Sequence, residues 1–495
     1  MIILPFTRHI MIKKIFFMFM LLLPLASCKD FLDEVPEDRL SEGNFYNNLE
    51  DAKAAVNAIY QPIRVISAFG GQYLLQVEIM AEFSVGRGST AAVGAYQGLD
   101  ATNAQRVGLV WQYLYQSINY ANLAIEKIPQ ISSINDNTKA ALVAEARYMR
   151  AFNYYHLVRH WGAVPLLVSL KPENTGRAPV EEVYKTIIAD LQNGESILPD
   201  KPEQYGRPTK WSAKAFLADV YLTRKEWNLA RQKAEEVINS GKFNLVPVNT
   251  LNDLDKIFGP LANGTEEEIF YLKYSNQNGW QWPHSILYSG TTFSPFGAYV
   301  MTSTLDNKFL KEWSDNDLRK QWGVTTHYTN RVTGQYTQLP SLAPVQFSKF
   351  RDNNAPTNSG HANDYPFLRY ADVLLIQAEA SAMAQNGPSA TAVENLNRIK
   401  RRGYGLPVNT PSAIDYPTTG WTAASFQDAV LLERAYELFL EGKRWLDLKR
   451  TGKIQSSILH YLGIQVAQAH LNWPIPQQEI DNNPMISQAD QNPGY

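Results

Sequence analysis

The sequence predicts a mainly α-helical protein: a frame of helical hairpins interrupted by an irregular, loop-rich insert that carries short strands. Three observations predict it. Apolar residues recur at three- and four-residue spacing over 49–66, 104–128, 138–161, 180–198 and 209–240. Gly and Pro punctuate these segments at Pro129, Gly162 with Pro165, Pro199, and Gly241 with Pro247. From 245 to 366 the periodicity fades, Asn, Gly, Ser, Thr and Pro accumulate, and runs such as "EIFYLKY" read as strands.

The N-terminal 27 residues read as a signal peptide. Met11-Ile12-Lys13-Lys14 is basic, and the apolar run over 15–25 that follows is too short to span a bilayer. Met11 opens the better signal and is the alternative start. Small residues then precede Cys28, the single cysteine of 495 residues. A lone cysteine closes no internal disulfide and builds no multi-thiolate metal site. Leu25-Ala26-Ser27-Cys28 is similar to a bacterial lipoprotein box, which makes Cys28 the expected lipid anchor.

Residues 28–40 are acidic, contain Pro36 and read as a tether. The helical frame is expected over 41–245 and 366–455, the loop-rich binding region over 246–365 and a C-terminal tail over 456–495, all in one domain. Within 209–240, Leu217, Ala218 and Tyr221 stand one turn apart and Ala230 follows, placing small residues where two helices cross; this resembles a tetratricopeptide unit. Looser candidates are the helix over 145–161, with Ala151 and Tyr154, and the pair 370–385 and 390–402.

Net charge is −2 with no long basic run, so a nucleic-acid partner is not expected. No nucleophile elbow, zincin motif or phosphate loop is present. "GRGSTA" at 86–91 fits a dinucleotide fingerprint only nominally, because no strand precedes it and no acidic strand end follows. The eight histidines show no metal-ligand spacing, and no cofactor is expected.

Six ordered stretches together resemble the SusD/RagB family of surface glycan-binding lipoproteins of Bacteroidota. They are "CKDFLDEVP", "AEARYMRAFNYYHLVRHWGAVPL", "GRPTKWSAKAFLADVYL", "YPFLRYADVLLIQAEA", "LLERAYELFLEGKRWLDLKR" and "NWPIPQQEIDNNP…QNPGY". The resemblance implies a SusD-like fold and binding without catalysis. It also implies an outer-membrane, cell-surface location and delivery of cargo to a TonB-dependent transporter of the SusC type, for which the protein acts as a lid. Charges within the motifs (Glu145, Arg147, Arg150, Glu433, Arg434, Glu437, Arg444, and the pair Asp317 and Arg319) are expected to fix the fold, with Asp372 pairing likewise or capping its helix. "NPGY" is expected to pack the tail back onto the body.

Glycan binding needs aromatic faces for the C–H side of a sugar ring, and amides, carboxylates or guanidinium groups for its hydroxyls. The chain holds 11 Trp, 26 Tyr and 21 Phe, many in polar sequence. The stretch 274–299 supplies Asn278, Trp280, Trp282 and Tyr288; an extended backbone would set both tryptophans on one face. The loop expected over 70–97 adds Tyr73, Arg87 and Tyr96, and Trp322 comes from a later loop. Two alternatives remain: peptide cargo, with Arg87 and Lys308 as anchoring charges, or a helical-repeat lipoprotein that docks only protein.

Overall fold

A computed structural model describes residues 45–172 and 175–495. The leader, Cys28 and the 28–40 tether lie outside the described residues.

Helices form where the periodicity places them, as α1 (Leu49–Arg64), α3 (Ala101–Lys127), α4 (Asp136–Trp161), α5 (Val180–Ile197), α6 (Lys210–Thr223) and α7 (Trp227–Ile238), and a further helix, α2 (Gln72–Glu78), follows α1. After the insert come α8 (Tyr370–Ala384), α9 (Ala390–Gly403), α10 (Ala423–Glu437), α11 (Arg444–Thr451) and α12 (Ile454–Leu462). Short polar side chains start several of them by accepting an orphan backbone N–H, as Asn48, Asp100, Asn135 and Thr209 do. Helix α2 corrects the expectation of a loop over 70–97. It is seven residues long and buried from Tyr73 through Glu78, so it shows neither an amphipathic stripe nor the length that periodicity detects.

Leu217, Ala218, Tyr221 and Ala230 are all buried where α6 crosses α7, and α8 packs on α7. One continuous apolar core reaches from Ala52 to Ile475. The insert adds short antiparallel ladders: β1 (Val85–Gly86) pairs with β3 (Met301–Thr302), and β2 (Glu268–Leu272) with β6 (Tyr365–Arg369). A hairpin joins β4 (His327–Thr329) to β5 (Tyr336–Gln338).

A buried ionic seam binds insert to frame. Arg369 meets Glu267 at 2.6 Å, Glu437 at 2.5 Å and Glu441 at 2.9 Å. Arg402 also reaches Glu267 and Glu437, while Arg319 reaches Asp317 at 2.6 Å and Glu433 at 2.7 Å. Lys349 closes on Glu441 at 2.5 Å. Other motif charges pair in the same manner: Arg150 with Asp190, Glu145 with Arg207, Arg434 with Asp447, and Arg444 with Glu82. Asp372 does both jobs foreseen for it, accepting the Arg369 N–H at the start of α8 and lying 3.4 Å from Lys443. Planar guanidinium groups holding two or three carboxylates fix helix register as well as charge.

The tail returns to the first helices. The Trp161 indole donates to the Pro474 carbonyl (2.8 Å), Asn492 donates to the carbonyls of Trp161 and Trp473, and the Leu99 N–H donates to the Tyr495 hydroxyl (3.2 Å).

Candidate glycan-binding site

Within the insert, a second, small apolar cluster of Tyr299, Leu339 and Ala343 stands apart from the main core. Half-buried Tyr288 and Tyr328 pack against it, with the Tyr288 ring 5.6 Å from Tyr299 and 5.0 Å from Tyr328. The Tyr299 hydroxyl shares its one hydrogen between the carbonyls of Ala343 (2.6 Å) and Val345 (2.5 Å), anchoring this cluster below its rim. Burial pushes that phenol up to about 12, so it stays a neutral donor.

The β4–β5 hairpin builds the rim. Gly334 (φ +70) and the Asn330 carboxamide, which accepts the Val332 and Thr333 N–H groups, set its turn. The loop over 290–292 ties the hairpin down, with Thr292 N–H donating to Thr329 and Arg331 N–H to Gly290. Alternation then places Tyr328 on one face and His327 on the other. His327 stacks on Tyr336 (4.9 Å, 7° between planes), and Tyr336 keeps 70 % of its surface exposed. Such a ring platform suits the C–H face of a pyranose.

Two residues singled out from sequence meet this cluster. Tyr288 belongs to it, and Arg87 donates to the Tyr299 carbonyl (2.7 Å) with its guanidinium 5.0 Å from the Tyr299 ring. Asn278 is exposed on its own turn. The remaining five are buried, which corrects the expectation that they face a ligand. Trp280 has no exposed surface. Its indole donates to the Phe69 carbonyl (2.9 Å), and its rings pack against Tyr274 (5.8 Å), Phe350 (4.8 Å) and Tyr365 of β6 (6.2 Å).

Trp282 is equally buried, because the backbone turns at Pro283 into a short helix (Trp282–Ile286) and the same-face geometry of an extended chain never forms. Trp322 donates to the Lys349 carbonyl (2.8 Å) beneath the Arg351 guanidinium. The Tyr96 hydroxyl donates to the Met80 carbonyl. Tyr73 places its hydroxyl between His156 and His160 (2.8 and 3.0 Å), whose imidazoles burial holds well below their usual range and therefore neutral.

Sequence reasoning missed His327, Tyr328, Tyr299 and Tyr336. A signal for them was present: "HYTNRVTGQYT" alternates aromatic and β-branched residues around a Thr-Gly turn, a hairpin pattern. Among the described residues, no group of three or more His, Cys, Asp or Glu side chains is placed to hold a metal ion, and no helix is long and apolar enough to cross a membrane.

Two family models match the chain. One, described as starch-binding and associating with the outer membrane, covers residues 30–222; the other, described as the SusD family, covers 262–495. The chain belongs to the SusD/RagB family. SusD-like protein P2 of Formosa agariphila is 29 % identical over 96 % of this chain and 98 % of its own. A solved SusD homologue from Bacteroides thetaiotaomicron superposes with a TM-score of 0.78 at 24 % identity, over 92 % of this chain and 99 % of that one. A laminarin-binding SusD-like protein superposes with a TM-score of 0.71 at 23 % identity, over 91 % and 100 %. The SusD-like fold, helical with few short strands, is thus shared, and the SusD family includes carbohydrate-binding members associated with the outer membrane.

Proposed function

We propose that this SusD-like protein binds a polysaccharide or oligosaccharide at the cell surface and delivers it to a TonB-dependent transporter of the SusC type, closing over that transporter as a lid. Lipid on Cys28 anchors it to the outer membrane. The observation that carries the glycan reading is the exposed Tyr336 ring stacked on His327 on one face of a hairpin whose other face is held by the Tyr288–Tyr328 pair. A sugar lies on Tyr336, while Tyr288 and Tyr328, on the opposite face of the hairpin, hold that platform against the Tyr299 cluster. Arg87 supports the rim from below through Tyr299, and its engagement there weakens it as a peptide anchor. Binding requires no chemistry and no cofactor.

Soluble protein beginning at Lys29, run through gels containing a panel of plant, host and microbial polysaccharides, tests this reading. Retardation by one glycan class, abolished by Tyr336→Ala and weakened by Tyr288→Ala, supports it. Retardation indifferent to both substitutions removes the hairpin site. No retardation by any glycan, with capture of peptides or of the transporter alone, moves the function to peptide uptake or protein docking.

A further inference from the structure

A second concave surface lies away from the hairpin, between the loop that precedes α6 and the turn that enters β2. It encloses about 260 Å³, close to the roughly 300 Å³ at which small-ligand pockets begin, and shares no lining residue with the hairpin cluster. Its aromatic wall is Tyr205, 56 % exposed, with half-buried Trp211 beside it. Gly264 seats the Tyr205 ring: at φ +63, a Cβ on Gly264 would collide with the tyrosine Cζ. Only a residue without a side chain lets the ring lie against this backbone.

The polar lining sets Lys201, Lys242 and the Thr265 hydroxyl against two carboxylates, Asp200 and Glu268, and Glu268 already accepts from Lys273 (2.7 Å) and the Gly264 N–H (2.9 Å). The Asp200 carboxylate already accepts from the Trp211 indole (2.9 Å), Lys210 (3.0 Å) and Lys242 (2.7 Å), so little of its acceptor capacity is left. Lys242 keeps further N–H donors after that contact. Lys201 is exposed and forms no ion pair among the described residues. The Thr265 hydroxyl is buried at the pocket wall with no hydrogen-bond partner among them. An exposed aromatic face answers the C–H face of a sugar, and a surplus of ammonium and hydroxyl donors answers an acceptor-rich substituent.

We propose that the pocket formed by Tyr205, Trp211, Lys201, Lys242 and Thr265 is a second carbohydrate site, selective for a sugar residue that carries an anionic group. A hexuronate carboxylate and a sulfate ester present the same chemistry to it. The ring stacks on Tyr205, and the anion faces Lys201 and Lys242.

Isothermal titration of the soluble protein with trigalacturonate, with a sulfated carrageenan tetrasaccharide and with neutral laminaritetraose tests the assignment. At least one anionic probe is expected to bind more tightly than the neutral one. That binding should fall at least tenfold in Tyr205→Ala and Lys201→Glu, weaken in 0.5 M salt, and persist in Tyr336→Ala. Which anionic probe binds identifies the source of the charge. Tyr205 and Lys201 are exposed, so both variants are expected to fold, which thermal melts check. The proposal is overturned if neither anionic probe binds better than the neutral one, if binding survives Tyr205→Ala, or if Tyr336→Ala abolishes it.

Discussion

Trp280 and Tyr336 belong to the same loop-rich stretch, yet one has no exposed surface and the other keeps 70 % of its own. Trp280 finds a carbonyl for its indole N–H on the loop after α1 and rings on three sides, so it rivets insert to frame. Tyr336 stacks on His327 alone among the described residues, on a two-stranded hairpin that leaves most of the ring to solvent. An aromatic residue in polar sequence is therefore not in itself a binding residue. What separates the two is whether the surrounding backbone satisfies the polar atom and covers both ring faces.

Breaking the riveted side should cost most. Arg369→Ala leaves Glu267, Glu437 and Glu441 buried without their shared partner, and losing one member of such a group costs about 3–5 kcal/mol. Chemical denaturation should show that loss or a failure to fold. Trp280→Ala removes a fully buried indole and should cost about 3–5 kcal/mol as well, read as a lower denaturation midpoint. If Trp280→Ala instead melts like the wild type and loses glycan retention, the contrast between the two rings collapses.

An effect of comparable size, visible only as pH changes, concerns Glu78 on α2, whose carboxyl burial pushes up from 4.5 to about 8. The folded state then holds a proton that the unfolded state has released, so this group's contribution to stability is present below pH 4.5 and is lost as pH rises towards 8. Its slope reaches at most about 1.4 kcal/mol per pH unit. Glu78→Gln should flatten that part of the profile, measured by denaturation at pH 5 and pH 8. Smallest of all is the stability effect of Tyr336→Ala, expected within about 0.5 kcal/mol because the ring is a surface group. Equal melting curves with unequal glycan retention would sharpen the comparison most.

The frame was legible because its constraints are local and repeated. The apolar spacing of α1, α3 and α5 marks their buried stripes, and the charges of "LLERAYELFLEGKRWLDLKR" stand out against that pattern. Helix α2 was hidden because burial on every side erases the stripe. In the insert and the loops that meet it, the fate of each aromatic is decided by residues distant in sequence: Phe69 for Trp280, Met80 for Tyr96, Lys349 for Trp322. No periodicity encodes such partners, so burial of these rings is not legible in the local sequence.

The returning tail has a consequence for how the chain reaches this state. Contacts such as Leu99 to Tyr495 and Trp161 to Asn492 join residues more than three hundred positions apart. Closing loops of that size costs chain entropy before any contact rewards it, and non-local topology slows folding. The segment that enters α3 and the end of α4 gain these partners only once residues 473–495 are in place. The fold therefore closes only after residues 473–495 have been made, and a chain cut before Trp473 lacks the clasp that holds the end of α4.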